Sequence, residues 1–174
     1  LTLDGAMGSL IQSYSLEDSD YRKDIFKNHS SELKGNHDVL SITRPDIISE
    51  IHTQYLHAGA DIIETNTFNA NEVSQADYEL EKYVYDLNFA SAKIAKKAVD
   101  NYADETGNRR AYIAGILGPT NRTCSMSPDV NDPSFRNVDF DILVNTYSDQ
   151  CRGLIDGGID LLMVETVFDT LNCK

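Results

Sequence analysis

With 174 residues, 41% of them apolar and 25% charged, the chain is long enough to enclose one core and is ordinary in composition for a globular domain. A formal net charge of -13 with no local basic patch argues against a nucleic-acid partner, because an acidic surface repels phosphate backbones. No apolar run approaches the roughly 18 residues that span a bilayer, and the first residues lack the charged, apolar, small-residue order of a secretory leader.

In chain order, "LTLD" reads as a short buried strand whose closing carboxylate, Asp4, precedes a glycine-bearing turn, Gly5-Ala6-Met7-Gly8, into a helix. Thr43-Arg44-Pro45-Asp46 reads as a helix start, with a hydroxyl cap, a proline in the first turn and an acid three residues after the cap. Ile47, Ile48, Ile51, Tyr55 and Ala58 follow at helical spacing, and Gly59 ends the helix. "DIIETNTF" suits a buried strand. Val73, Ala76 and Leu80 mark one helical segment, and Asn88, Ala92, Ala95, Val99 and Tyr102 mark another that stops near Gly107. "AYIAGILGP" is the next strand. The Ser-, Asn-, Asp- and Pro-rich stretch 120–139 is a long loop, of a length that is often functional. Phe140, Leu143, Val144, Tyr147, Cys151, Leu154 and Ile155 trace a helical face ended by Gly157-Gly158. "DLLMVETVF" is another buried strand, and Asp169 begins one more helix.

"AGADIIETNTF" and "GGIDLLMVETVFD" echo each other: a helix-ending glycine, Asp, an apolar run, Glu-Thr, then Phe. Counting "LTLD", four strands are each followed by helical material. Repeated βα units imply an α/β fold with a parallel sheet. Two closures are known, a doubly wound sheet and a (β/α)8 TIM-type barrel, and a full barrel takes about 250 residues. Four units make the first half of one, which exposes an apolar inner face and two unpaired edges.

Sites in such folds gather at the C-terminal ends of strands. The polar residues there are Asp4, residues 64–67, Thr120, Asn121, Glu165 and Thr166. Three acids from three strands, Asp4, Glu64 and Glu165, suit binding of an ammonium group or acid/base work. Against this, Asp4 also fits a turn cap, Glu64 and Glu165 fit rim ion pairs, and Asn66 and Asn121 fit turns. Gly5 and Gly8 make no dinucleotide fingerprint and there is no phosphate loop, but the N–H groups after Asp4 suit a carboxylate.

The four histidines read as surface or helix-side residues, and Cys151 reads as core. Cys124 reads as passive in its loop, with reactivity as the alternative. The cation pairs Lys96-Lys97 and Arg109-Arg110 read as solvated helix ends. Three widely spaced cysteines, Cys124, Cys151 and Cys173, with no Cys-x-x-Cys support neither a disulfide framework nor a self-contained zinc site, and a cytoplasmic location fits best.

"LDGAMGSLIQ", "LKGNHDVLSITRPDIISEIHTQYLHAGADIIETNTFNA", "AGILGPTNRTCSMSPDVNDPSFRN" and "DLLMVETVFDTLNCK" closely resemble the N-terminal homocysteine-binding domain of cobalamin-dependent methionine synthases, over essentially the whole of residues 1–174. The long loop and "LKGNHDVLSIT" separate that family from its betaine-using relatives. The resemblance implies a (β/α)8 barrel that presents homocysteine for methylation by methylcobalamin, itself carried and recharged from 5-methyltetrahydrofolate by further modules. It implies that Asp4 and Glu165 hold the substrate ammonium and that backbone donors at Gly5 and Ala6 meet its carboxylate. Asn66, Thr67 and Asn121 match polar positions lining the same mouth. Ser9 stands where the family has threonine. The family's zinc, held by three cysteines on later strands, activates the homocysteine thiolate. Those cysteine motifs do not occur here, so zinc ligands are expected outside this chain, which is expected to be inactive alone. The competing readings are a betaine- or S-methylmethionine-using homocysteine methyltransferase and a non-catalytic half-barrel that assembles with a partner.

Overall fold

The computed structural model describes residues 1–107 and 111–174. The Arg109-Arg110 pair lies outside the described residues. Helices α1 (Met7–Ser13), α2 (Asp18–Arg22), α3 (Leu40–Thr43) and α4 (Pro45–Ala58) precede strand β1 (Ile62–Glu64). Then come α5 (Glu72–Gln75), the long α6 (Val84–Thr106), β2 (Tyr112–Leu117), α7 (Phe140–Gly157), β3 (Leu161–Val164) and α8 (Thr170–Cys173).

The described strands form one parallel sheet in sequence order, β1-β2-β3, with Glu64 beside Ala114 and Leu117 beside Val164. All consecutive strands are thus joined through helices, as the βα repeat predicts. The first expected strand shrinks to one parallel bridge, Leu3 to Ile62. Thr2 O accepts from the Asp61 and Ile62 N–H groups, and the Asp4 N–H donates to Ile62 O at 2.9 Å. Beyond Asp4 the chain turns at once into α1, so no further ladder bond forms.

The helical spacing is borne out where it meets the core. Ile47, Ile48 and Ile51 of α4 join Leu40, Leu80 and Leu87 in one buried cluster. Ala95, Val99 and Tyr102 of α6 pack with Leu56, Ile63 and Ile113 in another. Leu154 of α7 meets Ala92 and Leu117, with Cys151 against them. Gly59, Gly107 and Gly158 all end helices in the left-handed conformation. The helices after the strands open on side-chain caps: Asn71 accepts from the Ser74 N–H, Asp139 from Ile142 and Asp169 from Leu171.

Four local expectations are corrected. Thr43 does not cap α4: its hydroxyl bonds back to Val39 O within α3, Arg44 takes the cap position, and Asp46 pairs with Arg44. Ala58, Phe140, Val144 and Ile155 are exposed despite their spacing. Lys96-Lys97 lies inside α6, where Lys96 pairs with Asp100 at 3.2 Å, rather than at a helix end. β3 is not buried: Leu161, Leu162 and Val164 are 38%, 42% and 53% exposed. Successive strand residues face opposite sides, so both faces of β3 are uncovered, and among the described strands it pairs only with β2.

Candidate functional site

Three carboxylates meet at the C-terminal ends of the sheet. Asp4 follows the Leu3 bridge, and its Oδ2 accepts the Glu64 N–H at 3.0 Å. That bond ties the first chain segment to the end of β1 and fixes the carboxylate. The other oxygen, Oδ1, is buried and has no partner. Burial, with the charge of Glu165 adding to it, pushes Asp4 up to about 6 against the pull of its backbone donors. Glu64 is pushed up to about 7 by burial and by the charges of Asp4 and Glu165. Burial also raises Glu165, which follows β3. Among the described residues none of the three is in an ion pair, so the rim-pair reading of Glu64 and Glu165 is not what folds.

Glu64 and Glu165 border a cleft of about 430 Å³ walled by residues 6–8, 35–38 and 64–69, with Asn121, while Asp4 stands beside it, bonded to the Glu64 N–H. Gly5 lets the Tyr55 ring come close: a Cβ there would sit 3.0 Å from Tyr55 Oη. Tyr55 Oη in turn reaches Ala6 O at 3.4 Å, which steadies the turn into α1. The first N–H groups of a helix lack intrahelical acceptors, so this turn presents donors beside the acids. Just after β2, a Cβ on Gly118 would lie 2.2 Å from Phe68 O, so only glycine allows the segments that follow β1 and β2 to approach this closely.

The other expected site residues are partly committed to the scaffold. Asn66 Nδ2 donates to His37 O at 2.8 Å and to Ser41 Oγ at 3.2 Å, pinning the 37–41 segment against the cleft wall. Thr67 is fully buried, and its hydroxyl donates to Ile116 O and shares a 2.7 Å bond with Thr65 Oγ1. It shapes the floor without a free hydroxyl. Asn121 is exposed at the outer lip, where its amide and Arg122 both bond Asp77. Asp4, Ala6, Glu64 and Glu165 are therefore brought together, while Thr67 and Asn121 are held by protein partners.

His37 and Asp38 line the cleft as well, where the sequence reading has a surface histidine in a polar loop. Asp38 is buried, accepts the Asn69 N–H at 3.1 Å and is pushed up to about 7 by that burial. The polar run around it carries no periodicity, so nothing in it signals that it folds over a strand end. His52 is also corrected: it is fully buried in α4, and neither ring nitrogen has a partner.

Cys124 sits in the long loop, Cys151 on α7 and Cys173 on α8, all as free thiols. Burial and the nearby Asp169 push the Cys124 thiol up, against a reactive thiolate. Among the described residues no three His, Cys, Asp or Glu side chains are grouped to hold a metal ion. The residues present therefore do not fit a three-cysteine zinc site. The long loop is instead structural in its contacts: Ser125 bonds Asp169, and Arg136 donates to the carbonyl oxygens of Cys124, Pro133 and Phe135.

Among solved structures, the metallated form of the homocysteine methyltransferase MmuM from Escherichia coli matches 99% of this chain with a TM-score of 0.73 at 21% identity. The oxidized form matches with a TM-score of 0.73 at 22% identity and the apo form with 0.65 at 22%. The match covers 56%, 55% and 51% of those chains, so this chain spans about half their length. At such identities the likeness shows a shared fold. The family model described as homocysteine S-methyltransferase matches residues 1–174 of this chain, and the chain accordingly belongs to the homocysteine S-methyltransferase family.

Proposed function

We propose that this chain forms the first half of a (β/α)8 barrel in a cobalamin-dependent methionine synthase and grips the amino-acid end of homocysteine. Support for the half-barrel comes from the sequential parallel strands, the uncovered β3 and the half-length match. Support for the methionine synthase type rests on the "LKGNHDVLSIT" and long-loop motifs. The single observation that carries substrate binding is the orphaned Asp4 Oδ1, a buried acceptor beside two further carboxylates. A buried acceptor without a donor is costly, and an incoming ammonium group removes that cost.

In this reading Asp4 and Glu165 bind the α-ammonium, and the N–H groups of Gly5 and Ala6 meet the α-carboxylate. Both ends of the zwitterion are then fixed and the side chain with its sulfur is directed away from the acids. Methyl transfer forms the new S–C bond as the methyl group leaves its donor and the thiol proton is lost. The donor would be methylcobalamin on another module, recharged from 5-methyltetrahydrofolate. Fixing the acceptor removes rotational freedom before that step. The thiol-activating metal that the resemblance implies finds no ligand set among the described residues, so this chain's own contribution is the orientation of the amino acid.

Calorimetric titration of the chain with homocysteine under reducing conditions tests this. Saturable binding is expected, weakened at least tenfold in Asp4→Asn, with no methionine formed from methylcobalamin by the chain alone. Absence of binding, or equal affinity in Asp4→Asn, would refute it.

A further inference from the structure

Two walls of the cleft, residues 35–38 and the segment that follows β1, are held to each other by a buried polar clamp. Its centre is Gln75, the last residue of α5, which is fully buried. The Gln75 backbone is fixed from both sides: its N–H donates to Asn71 O at 2.9 Å, and its carbonyl accepts from the core residue Leu80 at 3.0 Å. From that anchor the side chain reaches both walls. Gln75 Oε1 accepts from Asn36 Nδ2 at 2.8 Å. Gln75 Nε2 donates to Asn69 O at 3.0 Å, to Asn36 Oδ1 at 3.3 Å and to Asp38 Oδ2 at 3.4 Å. The Asn69 N–H closes the circuit on Asp38 Oδ1 at 3.1 Å.

A side-chain amide carries two N–H donors, and here three acceptors share them. Asn36 and Asp38 stand on one wall and Asn69 on the other, while Gln75 stands behind them. Displacing any one acceptor disturbs the bonds to the other two, so one side chain sets the spacing of both walls. Buried bonds of this kind add little net stability, because the unfolded groups bond water, and apolar side chains of the same shape would hold the walls together as well. Apolar contacts lack direction, however, whereas a hydrogen bond fixes distance and angle. In the binding mode above, the amino-acid end is held by the acids and the side chain runs away from them. The spacing of these walls then limits the side chain that fits.

We propose that Gln75 is a positioning residue that sets the separation of the two cleft walls, and thereby the side-chain length of the amino acid the cleft accepts. The assignment rests on the amino-acid reading above and adds what selects the side chain.

The test is calorimetry of the chain under reducing conditions with homocysteine and with its homologue one methylene longer. One methylene in a fitted pocket is worth about tenfold or more, so the unaltered chain is expected to prefer homocysteine by at least about tenfold. In Gln75→Met, which keeps the length and loses the bonds, that preference is expected to fall to within about twofold. Asn36→Ala, which removes the reciprocal partner from the opposite wall, is expected to relax it in the same way, and it carries the test if Gln75→Met does not fold. Val99→Ala, a core change on α6, is the control for general loosening and is expected to keep the full preference. Equal affinity of the unaltered chain for the two ligands would overturn the proposal without needing any variant. So would an unchanged preference in Gln75→Met or Asn36→Ala, or an equal relaxation in Val99→Ala; each of these leaves the amino-acid reading standing. Failure of the unaltered chain to bind homocysteine would overturn both.

Discussion

The buried carboxylates make stability fall as the solution becomes more basic through neutrality. Glu64 and Asp38 are both pushed up to about 7, and Asp4 to about 6. In an unfolded chain such groups ionise near 4. The folded state therefore holds protons that the unfolded state has released. Such a group contributes all of its stabilisation below its unfolded pKa and loses it as pH rises through its folded pKa. His52, lowered to about 4 by burial, acts in the opposite sense: it destabilises the fold progressively as pH falls below about 6.5, where the unfolded imidazole takes up its proton. From pH 6.5 to 8 the acids outweigh the imidazole, which returns about 0.4 kcal/mol over the same window. A group with a folded pKa of about 7 loses roughly 0.8 kcal/mol across that window, and one at about 6 loses about 0.15 kcal/mol. The undiscounted sum for the three acids is about 1.7 kcal/mol. Glu64 is partly exposed and screened by water, which about halves its share, and with the gain from the imidazole set against it the expected net loss is about 0.9 kcal/mol. Urea unfolding at half-unit intervals between pH 6.5 and 8 reads this as a falling midpoint at constant slope. Glu64→Gln should remove about a third to a half of the decline. A stability that is flat or rising over this window, or a Glu64→Gln chain with an undiminished decline, would refute the reasoning.

Two further predictions concern packing. His52→Leu replaces a buried ring with two unpartnered nitrogens by an apolar side chain, and should raise stability at pH 7 by about 1 kcal/mol, and by more at pH 5, in thermal or urea unfolding; a loss at both pH values would show that His52 has a partner. Gly118→Ala sets a methyl against the Phe68 carbonyl, where backbone has to move, and should cost about 1–3 kcal/mol in urea unfolding while weakening homocysteine binding, because residues 64–69 form a cleft wall.

Much of the fold is legible before folding is considered. The recurrence of Ile47, Ile48 and Ile51, the alternation of helical and apolar segments and the stops at Gly59, Gly107 and Gly158 are local patterns, and each is obeyed. The failures are equally local in origin. Thr43 has the chemistry of a cap, but α3 ends on it and claims its hydroxyl. "LTLD" has the composition of a strand, but only Leu3 finds a bridge. "DLLMVETVF" has the apolarity of a buried strand, and whether it is covered depends on what packs beside it.

The site divides along the same line. A βα repeat by itself determines that Asp4, Glu64 and Glu165 stand at strand ends, because strand periodicity and the turn residues after it are written in adjacent positions. Which of them share one mouth depends on register and on contacts between residues about 60 and 100 positions apart. Only the tertiary structure decides that the Glu64 N–H holds Asp4 Oδ2 and leaves Oδ1 without a donor. It also decides that Thr67 spends its hydroxyl on β2, that Asn121 is taken by Asp77, and that Asp38 is buried under a polar run with no pattern of its own. Sequence pattern reports what a residue does to its neighbours along the chain; burial and hydrogen-bond commitment are set by neighbours across space, and those decide which polar groups are left free to meet a ligand.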